Sequence, residues 1–136
     1  MLKVVVIDGN AISRNLLTSV LTNGGHHVVG DSNTSSAGLA SMIKLQPQLV
    51  CIDIGNTDDE GFAKLDAIRA GLPKALVLLV SGKIDAATVQ SAVGRGVHGF
   101  IVKPFNPVNV LSSIRNAIIK LAKQHRQVQA ESSSAA

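Results

Sequence analysis

Short runs of apolar residues recur five times along the chain, and longer amphipathic stretches follow each run. A short, continuous apolar run that is bounded by turn residues is typical of a strand buried on both faces of a sheet. The regular alternation of strand and helix predicts an α/β fold, a doubly wound parallel sheet with right-handed crossovers and helices on both faces. The five strands are predicted at residues 2–8, 27–31, 49–53, 75–80 and 98–102.

The intervening stretches repeat their apolar residues with the period of a helix, as expected for segments that bury one face. Polar residues that favour helix starts precede three of them, at Asn10, Ser35 and Asp85. The pair Gly24-Gly25, Gly71 and Gly94 are predicted to close three helices in left-handed conformations. The five helices are predicted at residues 11–23, 35–45, 60–70, 85–94 and 107–123.

The last stretch of the chain differs in composition from the rest. Residues 124–136 are polar or small, and they contain no pattern that would pack against a core. We therefore expect one domain over residues 1–123 and a flexible polar tail over residues 124–136.

Four residues with reactive or charged side chains stand at the ends of predicted strands. They are Asp8, Asp53, Ser81 and Lys103. In an open parallel sheet the carboxyl ends of the strands share one edge, where ligands bind. Two carboxylates, a hydroxyl and an ammonium would meet there, and such a set suits a metal ion and a phosphoryl group.

The composition excludes several classes of function. Aromatic residues make up 2% of the chain, with no Trp or Tyr, so stacking platforms for nucleic-acid bases are scarce. The net charge of +4 comes partly from the end of the chain, where a solvated helix face is the favoured interpretation over a DNA-binding patch. Nucleic-acid binding is therefore not expected.

The cellular setting is also indicated by the sequence. Cys51 is the only cysteine, which excludes a disulfide framework and suits a reducing compartment. Residues 1–3 lead directly into the first strand, so a signal peptide is not expected, and no apolar run is long enough for a membrane span. We expect a cytoplasmic location.

The strand-end residues, taken as a set, resemble those of a response-regulator receiver domain over residues 2–123. The resemblance rests on Asp8, on Asp53 followed eight residues later by Gly61, on Ser81, and on the segment Phe100-Ile101-Val102-Lys103-Pro104-Phe105. It implies a flavodoxin-like fold of five parallel strands in the order 2-1-3-4-5 with five helices. It also implies a regulatory protein of a two-component system, and not an enzyme.

The resemblance assigns a role to each of these residues. Asp53 would accept the phosphoryl group, Ser81 would be the switch hydroxyl, and Lys103 would bind the phosphate. Phe100 would be the switch aromatic, which moves when the hydroxyl is drawn to the phosphate. Mg²⁺ would be held by Asp8, Asp53 and the backbone carbonyl of Gly55.

The same resemblance indicates partners. The phosphoryl group would come from a histidine kinase or a phosphotransfer protein, and the output would reach a downstream protein that the sequence does not identify. A homodimer through the face formed by the fourth helix, the fifth strand and the fifth helix is a further option in this family.

One position departs from the family pattern. Receivers usually carry two adjacent acids after the first strand, and here Asp8 is followed by Gly9. Asp8, Asp53 and Lys103 then give the pocket a formal charge of −1 instead of −2. Because Mg²⁺ affinity follows the charge of the ligands, binding is expected to be weak. Asn10 is a neutral substitute, although helix capping is its favoured role.

Three other functions compete with a phosphorylated receiver. Gly9 favours a degenerate receiver, a protein-interaction module that works without phosphorylation. A flavodoxin-like cofactor binder would need a phosphate-cradling loop after the first strand, where acidic Asp8 repels phosphate. A phosphatase with an aspartate nucleophile usually has a second Asp two residues later, and Gly55 occupies that position.

Overall fold

Five strands and five helices alternate along the chain. The computed structural model describes the backbone of residues 2–135 and the side chains of residues 2–124. The strands are β1 (Lys3–Ile7), β2 (His27–Ser32), β3 (Leu49–Ile52), β4 (Leu76–Ser81) and β5 (Gly99–Val102). The helices are α1 (Ala11–Asn23), α2 (Ser36–Lys44), α3 (Asp59–Gly71), α4 (Ala86–Gly94) and α5 (Pro107–Ala135). None of the helices described between residues 2 and 135 combines the length and the apolarity that a membrane crossing requires.

All strand pairs are parallel, and the sheet order is β2-β1-β3-β4-β5, which confirms the predicted flavodoxin-like topology. The chain moves outward from β1 to β2 and then crosses β1 to build the other half of the sheet. The carboxyl ends of β1 and β3 therefore lie side by side. The direct pairing of Ile7 with Ile52 brings the residues that follow these strands to the same edge.

The core lies in two layers, one on each face of the sheet. Alternate strand residues point to opposite layers, as Val5 and Val6 do in β1. Helices α2, α3 and α4 cover the first layer, and α1 and α5 cover the second. Cys51 lies in the second layer, fully buried, and burial raises the pKa of its thiol to about 12. Cys51 is thus a small core residue and not a nucleophile.

The helix starts follow the predicted capping residues. The side chains of Asn10, Ser35 and Asp85 accept hydrogen bonds from backbone N–H groups in the first turns of α1, α2 and α4. The prediction for the glycines at the helix ends is partly wrong. Gly25 has a positive φ after α1, as predicted for the Gly24-Gly25 pair. Gly71 and Gly94 are instead the last residues of α3 and α4 and keep φ values that other residues adopt, and the positive φ after α4 occurs at Gly96.

Helix α5 continues beyond its predicted end. The prediction placed the end at residue 123, whereas the backbone is helical to Ala135. The added stretch contains neither Gly nor Pro, and Gln, Ala, Arg and Glu all favour helix, so the local sequence gives no stop signal. The predicted flexibility of residues 124–136 is a separate property and stays a prediction.

Candidate functional site

Asp8 is the first charged residue after β1, and the fold holds it inside the protein. Only 5% of the residue is exposed. Its backbone N–H donates to the carbonyl oxygen of Ser32 in β2, at 2.9 Å. Its Oδ1 accepts a hydrogen bond from the backbone N–H of Asn10, at 2.8 Å. These contacts leave the other carboxylate oxygen, Oδ2, available to Lys103.

Asp53 occupies the corresponding position after β3. Its backbone N–H donates to the carbonyl oxygen of Ile7, at 2.9 Å, and this bond ties the end of β3 to the end of β1. The N–H of Gly55 donates to Asp53 Oδ1 at 2.8 Å. Gly55 has φ of +80°, a conformation that glycine adopts readily and that folds the loop back toward the carboxylate.

Lys103 joins the two carboxylates. Its Nζ lies 2.8 Å from Asp8 Oδ2 and 2.7 Å from Asp53 Oδ2. Its backbone N–H donates to the carbonyl oxygen of Ser81, and its peptide bond to Pro104 is cis. Burial by itself lowers the pKa of the Lys103 ammonium, but the hydrogen bonds and charges of Asp53 and Asp8 outweigh it, and the pKa is raised. Lys103 therefore remains protonated as the counter-ion of both acids.

Ser81 and Phe100 lie on the neighbouring strands, in different environments. The Ser81 hydroxyl is bound to the backbone of Lys83, accepting from its N–H at 3.1 Å and donating to its carbonyl at 3.0 Å. Phe100 is half-buried against the core layer under α2, α3 and α4. It also lines a cavity of about 180 Å³ between β5 and α5. The structure thus brings Asp8, Asp53 and Lys103 into direct contact, with Ser81 turned to its own loop.

Gly9 leaves open space next to the acids. The residue is exposed, its φ is not in the left-handed region, and a Cβ at this position would collide with nothing. Asn10, the neutral substitute that the sequence allowed, uses its Oδ1 to accept the N–H of Ser13 at 3.0 Å. It therefore caps α1, as its favoured interpretation predicted.

Arg14 is a site neighbour that the sequence analysis missed. Its Nη1 donates to the carbonyl oxygen of Asp8 at 2.8 Å, and its Nε lies 3.3 Å from Asp31 Oδ1 in β2. The guanidinium thus holds the backbone of Asp8 against β2. A signal was present, because Arg14 lies one helical turn after the capping residue Asn10 and so faces the same edge.

Gly61 is required by the loop that carries Asp53. It lies in the first turn of α3, where its N–H donates to the capping side chain of Asp58 at 2.9 Å. A Cβ at this position would collide with the carbonyl oxygen of Asn56. The glycine eight residues after Asp53 therefore allows the helix to start close to the loop.

The oxygen atoms at this edge suit a small divalent cation. Within residues 2–124, no group of three or more His, Cys, Asp and Glu side chains could hold a metal. The candidate ligands are instead the carboxylates of Asp8 and Asp53 and the carbonyl of Gly55. Each carboxylate oxygen already accepts one hydrogen bond and has capacity for another contact. One or two carboxylates with several waters is a usual arrangement for Mg²⁺, so the residues present fit this ion.

Comparison with known proteins finds matches over the segment that contains the site residues. The sequence profile of the response regulator receiver domain matches residues 4–115. The chemotaxis protein CheY of Thermotoga maritima is 28% identical over 112 residues, which are 82% of this chain and 93% of CheY. The protein-glutamate methylesterase/protein-glutamine glutaminase of Archaeoglobus fulgidus is 28% identical over 88% of this chain, and the match covers 34% of that protein.

Solved structures show the same fold. NtrX from Brucella abortus superposes with a TM-score of 0.76 at 29% identity, covering 94% of this chain. This chain spans only 29% of the NtrX chain. The chemotaxis protein CheY4 of Vibrio cholerae has a TM-score of 0.74 at 23% identity, covering 86% of this chain and 98% of CheY4.

Proposed function

Because the chain belongs to the response regulator receiver domain family, we propose that it accepts a phosphoryl group on Asp53 from a phosphohistidine donor. The donor would be a histidine kinase or a phosphotransfer protein of a two-component system. The observation that carries the proposal is the single ammonium of Lys103, which contacts the carboxylates of both Asp53 and Asp8 at one edge of the sheet. A positioned nucleophile with a cation beside it is what phosphoryl transfer requires.

The residues divide the work of the transfer among them. An oxygen of Asp53 would attack phosphorus while the bond to the donor imidazole breaks, giving an acyl phosphate on Asp53. The Gly55 N–H fixes the rotation of the carboxylate. The Lys103 ammonium would then contact the phosphoryl oxygens and stabilise their negative charge. It can reach them because it already contacts Asp53.

Mg²⁺ would be held by Asp8, Asp53 and the Gly55 carbonyl, and when bound it would neutralise charge on the phosphoryl oxygens. Gly9 adds no charge to this set, so we propose that the ion binds weakly.

The output would pass through Ser81 and Phe100. The Ser81 hydroxyl would leave the Lys83 backbone for a phosphoryl oxygen, and Phe100 would then change its position beside the cavity between β5 and α5. This movement would alter the face formed by α4, β5 and α5, where we place the contact with a downstream protein or a second copy of the chain. On this proposal the chain is a regulatory module, not an enzyme, and acts in the cytoplasm.

The decisive test is substitution of the acceptor. We expect intact mass spectrometry to detect one added phosphoryl group after treatment with a small acyl-phosphate donor and Mg²⁺, and Asp53→Asn to abolish it. Asp66→Asn is a matched control, since Asp66 lies in α3 and contacts Arg95 and none of the site residues. Unchanged labelling of Asp53→Asn would place the acceptor elsewhere.

Gly9 favours a second function, a degenerate receiver that binds its partner without phosphorylation. The site has two carboxylates, and one ammonium already neutralises part of their charge. This alternative expects no added mass in the wild-type chain even at high Mg²⁺, together with unchanged partner binding by Asp53→Asn.

A further inference from the structure

The open space beside Gly9 has one polar neighbour. If residue 9 had a Cβ, the hydroxyl oxygen of Thr34, at 4.0 Å, would be the only heavy atom of residues 2–124 within 4 Å of it, its chain neighbours apart. Thr34 lies in the loop between β2 and α2, which the sequence analysis did not connect with the site. Its hydroxyl borders the space into which a second acid would project.

The loop holds Thr34 in place through its own hydrogen bonds. Ser32, on one side, accepts the backbone N–H of Asp8. Asn33 Oδ1 accepts from both the N–H and the hydroxyl of Ser35, at 3.1 and 2.7 Å. Ser35 Oγ in turn accepts the N–H of Gly38 at 3.0 Å and caps α2. A Cβ on Gly38 would collide with Ser32 and Asn33, so the loop is tightly closed.

The Thr34 hydroxyl is free to take a ligand. Among the side chains of residues 2–124, none forms a hydrogen bond with it, and the residue is half-buried. The neighbouring polar groups are committed, because Asn10 and Ser35 cap helices α1 and α2. A hydroxyl can both accept and donate, and it is a good partner for a water molecule of a metal ion.

We propose that the Thr34 hydroxyl is part of the divalent-cation site of this chain, where it holds one of the ion's waters in the place of the missing second carboxylate. This inference rests on cation binding by Asp8 and Asp53, as proposed above, and adds a residue to that site. A neutral hydroxyl orients a water but contributes no charge. Its participation is therefore compatible with weak binding.

The test is a titration with Mn²⁺ as the probe, in which electron paramagnetic resonance measures the free ion. Thr34→Val removes the hydroxyl and keeps the volume, and Thr34→Ser keeps the hydroxyl. We expect Thr34→Val to weaken Mn²⁺ binding about tenfold, the lower end of what loss of an outer-shell partner costs. Thr34→Ser should bind like the wild type. Equal affinity of Thr34→Val and wild type, or an equal loss in both variants, would overturn the role of the hydroxyl.

Gly9→Asp provides an independent arm, because the space at this position admits a side chain. We expect Gly9→Asp to bind Mn²⁺ more tightly and to make the further loss in Gly9→Asp/Thr34→Val smaller than the loss in the wild-type background. Additive effects would contradict the proposal.

A nuclear magnetic resonance measurement needs no substitution at Thr34. Bound Mn²⁺ should broaden the methyl signal of Thr34 much more than that of Thr22, which lies at the end of α1 away from the site. A sharp Thr34 signal at saturating Mn²⁺ would place the ion elsewhere. If the wild-type chain binds no Mn²⁺, the proposed cation site and the role of Thr34 fail together. If it binds and Thr34→Val binds equally, only the role of Thr34 fails.

Discussion

At the scale of single residues, one ammonium balances two carboxylates, since Lys103 Nζ lies 2.8 Å from Asp8 Oδ2 and 2.7 Å from Asp53 Oδ2. Asp8, Asp53 and Lys103 could be predicted to converge because each follows an apolar strand, and strand topology determines where strand ends lie. Thr34 could not, because its place beside Gly9 depends on how the loop between β2 and α2 packs. For Arg14, the position one turn after Asn10 indicates the edge but not the contact with the Asp8 carbonyl. Hydroxyl and guanidinium groups are common on surfaces, so composition alone does not distinguish them.

Gly61 allows a sharp test at the residue scale. We expect Gly61→Ala to lower the free energy of unfolding by about 1–3 kcal/mol, because the new Cβ meets the Asn56 carbonyl and the neighbourhood must shift. Gly94→Ala is the matched control. Its Cβ would meet nothing within 4 Å at the end of α4, so we expect a gain of about 0.5–1 kcal/mol. Urea denaturation measures both, and equal effects of the two would contradict the steric argument.

His98 predicts a pH dependence of stability. Its Nδ1 accepts the N–H of Val77 at 3.1 Å, and burial, followed by the charges of Arg69 and Lys120, lowers its pKa. The unfolded chain therefore takes up the proton first as pH falls. The stabilising contribution is complete above pH of about 6.5 and is lost as pH falls toward the lower folded pKa.

The check is urea denaturation at pH 7.5 and pH 5. His98→Gln keeps an acceptor for Val77 but does not titrate, so it should lose less stability between the two pH values than the wild type. His27→Gln, at an exposed position, is the control and should behave like the wild type. A wild-type pH dependence in His98→Gln would assign the effect to other groups.

At the scale of elements, the starts of all five helices and the ends of α1 to α4 lie within one residue of their predicted positions, and only the end of α5 differs. A capping side chain acts on the next few residues, so Asn10, Ser35 and Asp85 could be recognised locally. The end of a helix depends on whether the following residues form another element that packs on the domain. Gly71 is the last helical residue of α3. A Cβ at this position would collide with Ile43 of α2, so the close packing of the two helices requires a glycine here.

The connection between β4, β5 and α5 predicts how the switch behaves. We expect phosphorylation to change the backbone amide signals of β5 and of the start of α5 in nuclear magnetic resonance spectra. Ser81→Ala should reduce these changes by more than half while the added mass on Asp53 remains. Ser91→Ala, on the exposed side of α4, is the control. Full spectral changes in Ser81→Ala would separate the hydroxyl from the output face.

At the scale of the whole molecule, the five regular βα units predicted a parallel sheet with helices on both faces. The strand order came from the resemblance to receiver domains, and the structure confirms it. The role of the last residues could not be predicted in the same way, since they follow no packing pattern. In the described part of α5, the last fully buried side chain is that of Ala117.

We therefore expect residues 1–123 to form the complete folded unit. A chain that ends at residue 123 should unfold within about 2 °C of the full-length chain, because little stabilising free energy is removed. Amide exchange over residues 124–136 should be fast in the full-length chain. A markedly lower midpoint of the shortened chain would show that the tail contributes to the stability of the domain, and strong protection of the tail amides would contradict its predicted flexibility.

The position of Phe100 has an optical consequence. The chain has three Phe residues and neither Trp nor Tyr, so its intrinsic near-ultraviolet fluorescence is very weak. Phe100 stands half-buried at the rim of the cavity between β5 and α5, whereas Phe105 packs on the opposite layer. An indole introduced at position 100 would dominate the emission, because only two weakly emitting Phe residues would remain. Its emission wavelength and intensity would report how far water reaches that rim before and after phosphorylation.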